Sequence, residues 1–304
     1  MTPQSAETLF SYIATSFQNL SSLHEGRLVF PLPDLSPNLL ANSFYFGHPE
    51  WSRGYLEAVH RDSNSLERWL AVTGSWQDKI VIDIGCGPGN VYATMRDHCG
   101  APKLLIGVDV AQGALKIAQT FGYTSVLADA QRLPFVSDFA DIVFLNAALH
   151  HCDDMEAVLR EAGRLVRPSG LLVADFDVQQ TMWQENWVAK TIWNARLPWY
   201  RLIKRGGHAT ADEQFWSTAT EIHHRPGDGV TTHFFERILQ PLGFNVRTYP
   251  HNRTVGAATL EGKLGRAPWN IRLAQRLSGV NPDSPEGAMV LMCVAKRCSG
   301  TGSV

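Results

Sequence analysis

The run Val81-Ile82-Asp83-Ile84-Gly85-Cys86-Gly87-Pro88-Gly89-Asn90 restricts the fold more than any other part of the chain. An apolar strand carrying one acid runs directly into three glycines at alternate positions. Glycine lacks Cβ, so the backbone at Gly85, Gly87 and Gly89 can turn tightly and approach a ligand that a side chain would hold off. A second apolar run, Leu104 to Val108, ends in Asp109, twenty residues after Gly89, where an acid can accept hydrogen bonds from both hydroxyls of a ribose. A third run, Ser125 to Ala128, leads into Asp129 and Ala130, and an acid there suits the exocyclic amine of an adenine. Three strand ends thus converge on one adenosine. The dinucleotide fingerprint G-x-G-x-x-G is not met, because its last position falls on Asn90 and Pro88 interrupts the loop.

From Ile80 to Phe176 apolar runs of strand length alternate with helical patterns at Val91–Cys99, Gly113–Phe121 and Met155–Val166. That rhythm belongs to βαβ units and a parallel sheet. The pattern at Met155 begins like a capping box, with Asp153 as N-cap and Glu156 three residues on. With these motifs in order, the sequence resembles the class I S-adenosylmethionine (SAM) dependent methyltransferases from about residue 80 to 177. The resemblance rests on the D-x-G-x-G-x-G loop of Asp83 to Gly89, Asp109, Asp129-Ala130 followed by Leu133-Pro134-Phe135, Asp141 to Asn146 with Leu149-His150-His151, and Leu159-Arg160-Glu161 leading to Leu165-Val166-Arg167-Pro168-Ser169-Gly170. It implies an α/β, Rossmann-like, seven-stranded and mostly parallel sheet with helices on both faces. It implies SAM as cofactor, with Asp83, Gly85, Cys86, Gly87 and Gly89 beside its methionine part, Asp109 and Val110 at the ribose, Asp129 and Ala130 around the adenine, and Asn146 at the end of the fourth strand. The second glycine frequent before the family's fifth strand is Ser169 here.

Residues 1–78 precede the cofactor motif and read as a helical cap, with apolar periodicity from Leu9 to Leu20 and from Tyr55 to Val72. Between these lies a stretch rich in proline and aromatics, Phe30 to Pro33 and Phe44 to Trp51, read as a loop able to close over a cofactor or to pack the cap. Residues 79–304 form the SAM-binding domain, with lid insertions at about 178–231 and 253–287, after the fifth and sixth strands. The last predicted strand is Ala288–Ala295. The first insertion holds Trp183, Trp187, Trp193, Trp199 and Trp216, five of the nine tryptophans. Ligands bind outside the carboxyl ends of strands in such sheets, so this segment springs from where it can roof the site over a flat or apolar acceptor.

Methyl transfer requires the acceptor to sit in line with the sulfonium methyl and, for a hydroxyl acceptor, to lose a proton. His150 and His151 follow the fourth strand at the place that, by the resemblance, faces the methyl group. His223, His224 and His233 flank a glycine- and proline-containing loop at the end of the first insertion. His150, His151 and His224 are the candidate bases. Adjacent side chains in His150-His151-Cys152-Asp153-Asp154 diverge and Asp153 is read as a cap, so no metal is expected. Cys86 and Cys152 read as packing residues.

Composition narrows the acceptor. Lys plus Arg number 27 against 29 acids, and this near balance gives no broad attraction for a phosphate backbone. The chain reads Asn146-Ala147-Ala148-Leu149 where amino-methylating DNA enzymes carry an acid or Asn, two prolines and an aromatic, so nucleic acid is not expected. Five cysteines without a C-x-x-C pair fit a reducing cytosol, and no apolar stretch approaches the ~20 residues of a membrane span. The expected activity is methyl transfer to a small, aromatic or apolar metabolite through oxygen, nitrogen or carbon, with oxygen favoured. An NAD-dependent oxidoreductase and a non-catalytic SAM-fold subunit serving a partner are the alternatives.

Overall fold

The computed structural model describes residues 3–32, 35–59, 61–183, 197–203 and 210–299. Nine strands form one sheet: β1 (Ser22–His24), β2 (Arg27–Val29), β3 (Ile80–Ile84), β4 (Leu104–Asp109), β5 (Thr124–Leu127), β6 (Ala140–Asn146), β7 (Val166–Asp175), β8 (Phe244–His251) and β9 (Val290–Arg297). Their order is β1-β2-β5-β4-β3-β6-β7-β9-β8. Strands β5, β4, β3, β6 and β7 are parallel, and β9 pairs antiparallel with both β7 and β8.

The strand residues explain why the sheet is covered on both faces. In β3, Ile80, Ile82 and Ile84 join one apolar cluster and Val81 the other; in β6, Val143 and Leu145 face one side, Ile142 and Phe144 the opposite one. Successive side chains of a strand point to opposite faces, so a run without polar alternation requires helices above and below. One layer includes the helices Met155–Leu165 and Thr232–Leu239, whose buried faces carry Val158, Leu159, Phe235 and Ile238. On the other lie Ser63–Thr73 and Asn90–Met95, which contribute Trp69, Val91 and Met95.

The α/β Rossmann-like class agrees with the sequence expectation, with two more strands than the seven inferred. The additional pair comes from residues read as a helical cap: β1 and β2 form a short hairpin, and β2 adds in parallel to β5. Arg27 anchors it, donating to Gln119 Oε1 at 3.2 Å and to Glu25 Oε2 at 2.6 Å. The stretch Phe44 to Trp51, read as a loop, is instead the junction of two helices, Pro37–Gly47 and Pro49–Ala58. Each proline stands at the first helical turn, where its missing N–H costs nothing. The periodic segment from Tyr55 to Val72 is likewise divided between Pro49–Ala58 and Ser63–Thr73, the latter capped by Asp62.

A buried ion network locks this N-terminal part to the sheet. Asp175, at the end of β7, accepts from Trp69 Nε1 at 2.8 Å, Arg68 Nε at 3.4 Å and His251 Nε2 at 2.8 Å. Burial opposes its charge, yet His251, Arg68 and Trp69 outweigh that effect and hold the carboxyl well below the usual range. The chain leaves β3 toward β4 and β5 on one side and returns to β6 on the other. The gap above β3 and β6 is therefore the topological switch point, where such sheets bind ligands.

Candidate functional site

A pocket opens at that switch point. The loop after β3 supplies Gly85, Cys86 and Gly87 to its wall, β4 ends in Asp109 and Val110, the β5 end brings Asp129 and Ala130, and β6 ends in Asn146. Asp83 lines it from within β3. Of the cofactor residues expected from the sequence, Gly89 alone does not line the pocket; it stands at φ +92° as the N-cap of Asn90–Met95, and a Cβ there would lie 2.9 Å from the Tyr123 ring. Its part is to let the helix start close behind the loop. Gly87, at φ +51°, has open space where a Cβ would stand, so its backbone faces the cavity directly.

The acids are held by backbone donors. Asp109 accepts from Gly87 N through Oδ2 and from Ala111 N through Oδ1, both at 2.8 Å, which fixes the plane of the carboxylate while leaving further acceptor capacity on each oxygen. Asp129 accepts from Gln131 N at 2.9 Å. Asp83 accepts from the Tyr123 hydroxyl at 2.6 Å, and burial pushes its carboxyl up to about 7. Its other oxygen, Oδ1, and Asn146 Oδ1 are buried with no hydrogen-bond partner. Buried acceptors left unmade cost on the order of 1–3 kcal/mol each, and two of them in one wall fit a ligand that brings donors, as the ammonium and ribose of SAM do. Asn90, where the dinucleotide fingerprint needs glycine, donates instead to Val59 O at 2.7 Å.

Of the roof, the sequence points only to the aromatic stretch that holds Phe46 and not to the helices that carry it. Asn38, Leu39, Asn42, Phe46 and Tyr55 line the pocket from the helices Pro37–Gly47 and Pro49–Ala58. Ser36 caps the first of these by accepting from Leu39 N at 3.0 Å. A Ser-Pro pair reads as N-cap and first helical residue, and that signal at Ser36-Pro37 could have located the helix. The proposed cap Asp153 instead accepts a hydrogen bond from the Ser36 hydroxyl, and Asp154 caps Met155–Leu165 through Glu156 N and Ala157 N. Asp153 is thereby part of the pocket wall. Cys86 and Cys152 line it as well, and burial pushes both thiols up.

The histidines meet at the turn Leu149–His151 that follows β6. His151 lines the pocket, and its Nδ1 lies 2.8 Å from Thr220 O. A carbonyl can only accept, so the proton sits on Nδ1 and Nε2 keeps its lone pair. Burial and then the neighbouring His150 push the imidazole down to about 3. His150 contacts Asp177 Oδ1 at 2.7 Å through Nδ1, and its ring lies 4.7 Å from that of His224. His224 in turn contacts Glu221 Oε2 at 2.6 Å. His150 and His224 thus stand behind His151 rather than in the pocket wall. His223 binds Asp228 Oδ2 and Cys152 O, both at 2.8 Å, whereas His233 is exposed on the helix Thr232–Leu239. Arg253, at φ +69°, is not among the residues expected from the sequence; its guanidinium carbon lies 5.4 Å from the centroid of the Phe176 ring.

Of the tryptophans expected to form a lid, Trp187 and Trp193 lie outside the described residues, as does the side chain of Trp183. Trp199 is 60% exposed, and Trp216 packs on Phe44 with ring centroids 4.4 Å apart. The described lid is therefore a joint structure: the helix Ala211–Ala219 lies on Pro37–Gly47, so the first insertion and the N-terminal helices close the site together.

Fold and pocket together are those of a Rossmann-like sheet with a cavity at its switch point whose acids and bare backbone suit an adenosine-bearing ligand. Residues 82–174 match the family described as "Methyltransferase domain". The chain is 32% identical over 106 residues to a malonyl-[acyl-carrier protein] O-methyltransferase of Methylovorus sp., an alignment covering 31% of this chain and 36% of that protein. It is 32% identical over 142 residues to the protein of the same description from Enterobacter lignolyticus, covering 46% of this chain and 54% of that one. The chain thus spans about a third to a half of the length of these curated relatives. In fold it is similar to a chain of the complex between the Haloferax volcanii Trm112 methyltransferase activator and a methyltransferase, with TM-score 0.52, 17% identity, and coverage of 86% of this chain and 100% of that one. The plantazolicin methyltransferase BamL, solved with a triazolic desmethylPZN analog and SAH, gives TM-score 0.51 at 17% identity, covering 86% of this chain and 95% of that one. This chain carries a class I SAM-dependent methyltransferase domain, and SAM is the cofactor of that domain. Among the described residues no helix is long and apolar enough to cross a membrane.

Proposed function

We propose that this protein transfers the methyl group of SAM to an oxygen atom of a small metabolite, with His151 as the general base. SAM supplies an electrophilic methyl on a positively charged sulfur. The residues of this chain hold the two ends of that reaction. Asp109 and Asp129 would fix the ribose and adenine, Asp83 and Asn146 would accept from the amino-acid end, and the acceptor would enter under Phe46 and Tyr55. His151 Nε2 would take the hydroxyl proton as the new O–CH3 bond forms and the S–CH3 bond breaks, with S-adenosylhomocysteine (SAH) leaving.

The observation that carries the reading is the tautomer of His151: Nδ1 is committed to Thr220 O, so the nitrogen that remains on this pocket-lining ring is a proton acceptor. Several relatives, by their descriptions, methylate at oxygen, which supports an oxygen acceptor. Phe46 stacks edge-on against His151 at 5.4 Å, which suits an acceptor with a flat or apolar body. The test is a screen of phenol, aniline, thiophenol and carboxylate acceptors on one ring scaffold, with SAH release as readout. Turnover on an oxygen acceptor that falls in His151→Ala while SAH affinity is kept supports the proposal. Turnover on nitrogen alone, or a His151→Ala enzyme as fast as the parent, overturns it.

A further inference from the structure

His150, Glu221 and His224 present one ligand atom each, and the three atoms lie within 4.8 Å of one another. Two segments about seventy residues apart in sequence create this meeting. His150 belongs to the turn after β6, and Glu221 and His224 to the turn after the helix Ala211–Ala219. Two imidazoles and one carboxylate are the donor set of open, N/O-ligated sites for first-row divalent metals, and a Glu-x-x-His pair is one way such a set is delivered. None of these three side chains is needed as the general base, so the cluster is unexplained by the transfer step itself.

We propose that His150, Glu221 and His224 form a binding site for a divalent transition metal of the zinc type. The outer contacts point the same way. His150 Nδ1 is tied to Asp177 Oδ1 at 2.7 Å, which directs Nε2 as the remaining ligand atom, and a carboxylate behind a metal-binding histidine is the usual support. The turn bearing Glu221 and His224 is pinned before and within it: Thr220 O accepts from His151 Nδ1, and His223 Nε2 donates to Cys152 O, each at 2.8 Å. Metal–ligand distances of ~2.1 Å place tetrahedral ligands ~3.4 Å apart, so shifts of about an ångström, with rotation of the stacked His150 and His224 rings toward a common point, close the site. Occupancy would replace the present Glu221 contact to His224 Nδ1. Arg253 lies within electrostatic reach of both His150 and Glu221. That positive charge opposes any divalent ion alike, and the Glu221 and Asp177 carboxylates offset it; the choice of ion comes from the donor set, since calcium and magnesium depend on several carboxylates and two imidazoles suit an ion of the zinc type. Behind His151 and outside the pocket wall, such an ion would fix the turn Leu149–His151 and so the direction of the His151 imidazole.

The ion's role rests on the methyl-transfer reading, but its binding does not, and the experiment separates them. The full-length protein, stripped with chelator, is titrated calorimetrically with zinc chloride, without SAM or acceptor, and cobalt(II) is added in parallel to read its visible ligand-field bands. The expected result is one ion per chain, with affinity weakened at least a hundredfold in both His224→Ala and Glu221→Gln and unchanged in His233→Ala. Unaltered SAH binding in the two variants shows that they fold. Absence of stoichiometric zinc binding, or binding equally strong in His224→Ala and Glu221→Gln, overturns the site. Zinc binding without any methyl transfer leaves the site standing and counts only against the proposed function.

Discussion

The floor and the roof of the pocket are built by different means. On the floor, main-chain groups do the holding: Gly87 N and Ala111 N fix Asp109, Gln131 N fixes Asp129, and Gly87 offers bare backbone to the cavity. On the roof, side chains do it: Asn38 and Asn42 reach His151 O at 2.8 and 3.1 Å, Phe46 and Tyr55 line the space, and Phe44 meets Trp216. A floor of this kind suits a ligand that never changes, since backbone geometry at strand ends is fixed by the sheet. A roof of side chains can be reshaped one residue at a time. Cofactor recognition and acceptor choice are therefore separable, and mutations should divide accordingly.

The largest expected effect is on the roof side. His151→Ala should lower turnover by about 10²-fold, the lower end of what a positioned base contributes because burial weakens this imidazole as a base, with SAH affinity kept. Equal losses in calorimetric SAH binding would show that the division is false. On the floor, Asp109→Ala should weaken SAH binding by about 1–3 kcal/mol, through loss of charge-assisted hydrogen bonds to ribose and of the brace on Gly87. An affinity equal to that of the parent would put the ribose elsewhere.

A smaller effect should appear with pH. Burial raises the Asp83 carboxyl to about 7 in the free protein, above its unfolded value, so its contribution to stability is present below that unfolded value and is lost as pH rises through about 7. A bound ammonium favours the carboxylate, so SAH binding should release a proton and tighten from pH 6 to pH 8, by up to about tenfold or 1.4 kcal/mol. Titrations in buffers of different ionisation enthalpy would detect the proton; pH-independent affinity with no proton release would remove Asp83 from the contact. The smallest effect belongs to Ser36→Ala, which removes the cap of a roof helix at a cost of about 1 kcal/mol. Urea unfolding should register it, and the acceptor KM should rise while SAH affinity stays level. A fall in SAH affinity of the same size would mean that the roof also holds the cofactor.

The same division decides what could be read from the sequence. Asp83, Gly87, Asp109, Asp129 and Asn146 lie at or beside strand ends in a fixed order, and the spacing of short βα units brings them together without knowledge of any distant contact. The roof depends on contacts across long separations, such as His151 with Thr220 or Asn38 with His151, which no local periodicity encodes. The aromatics from Phe44 to Trp51 read as a loop because His48-Pro49 looks like a break; it is one, but between two helices rather than within a coil. The hairpin Ser22–Val29 is two three-residue strands, too short to leave a period-two signal. Asp153 and Asp154 are adjacent acids equally able to cap, and only the Ser36 hydroxyl, far away in sequence, occupies the first.

The turn Leu149–Cys152 receives both pieces of the roof at main-chain oxygens, besides the His151 imidazole on Thr220 O: His151 O takes Asn38 and Asn42, and Cys152 O takes His223. Any amino acid would present those oxygens, so the socket is generic and only the plugs are particular. An engineer could graft another N-terminal arm or another insertion onto this chassis, provided each import carries an amide or imidazole donor at the matching point, and leave the nucleotide-holding half untouched.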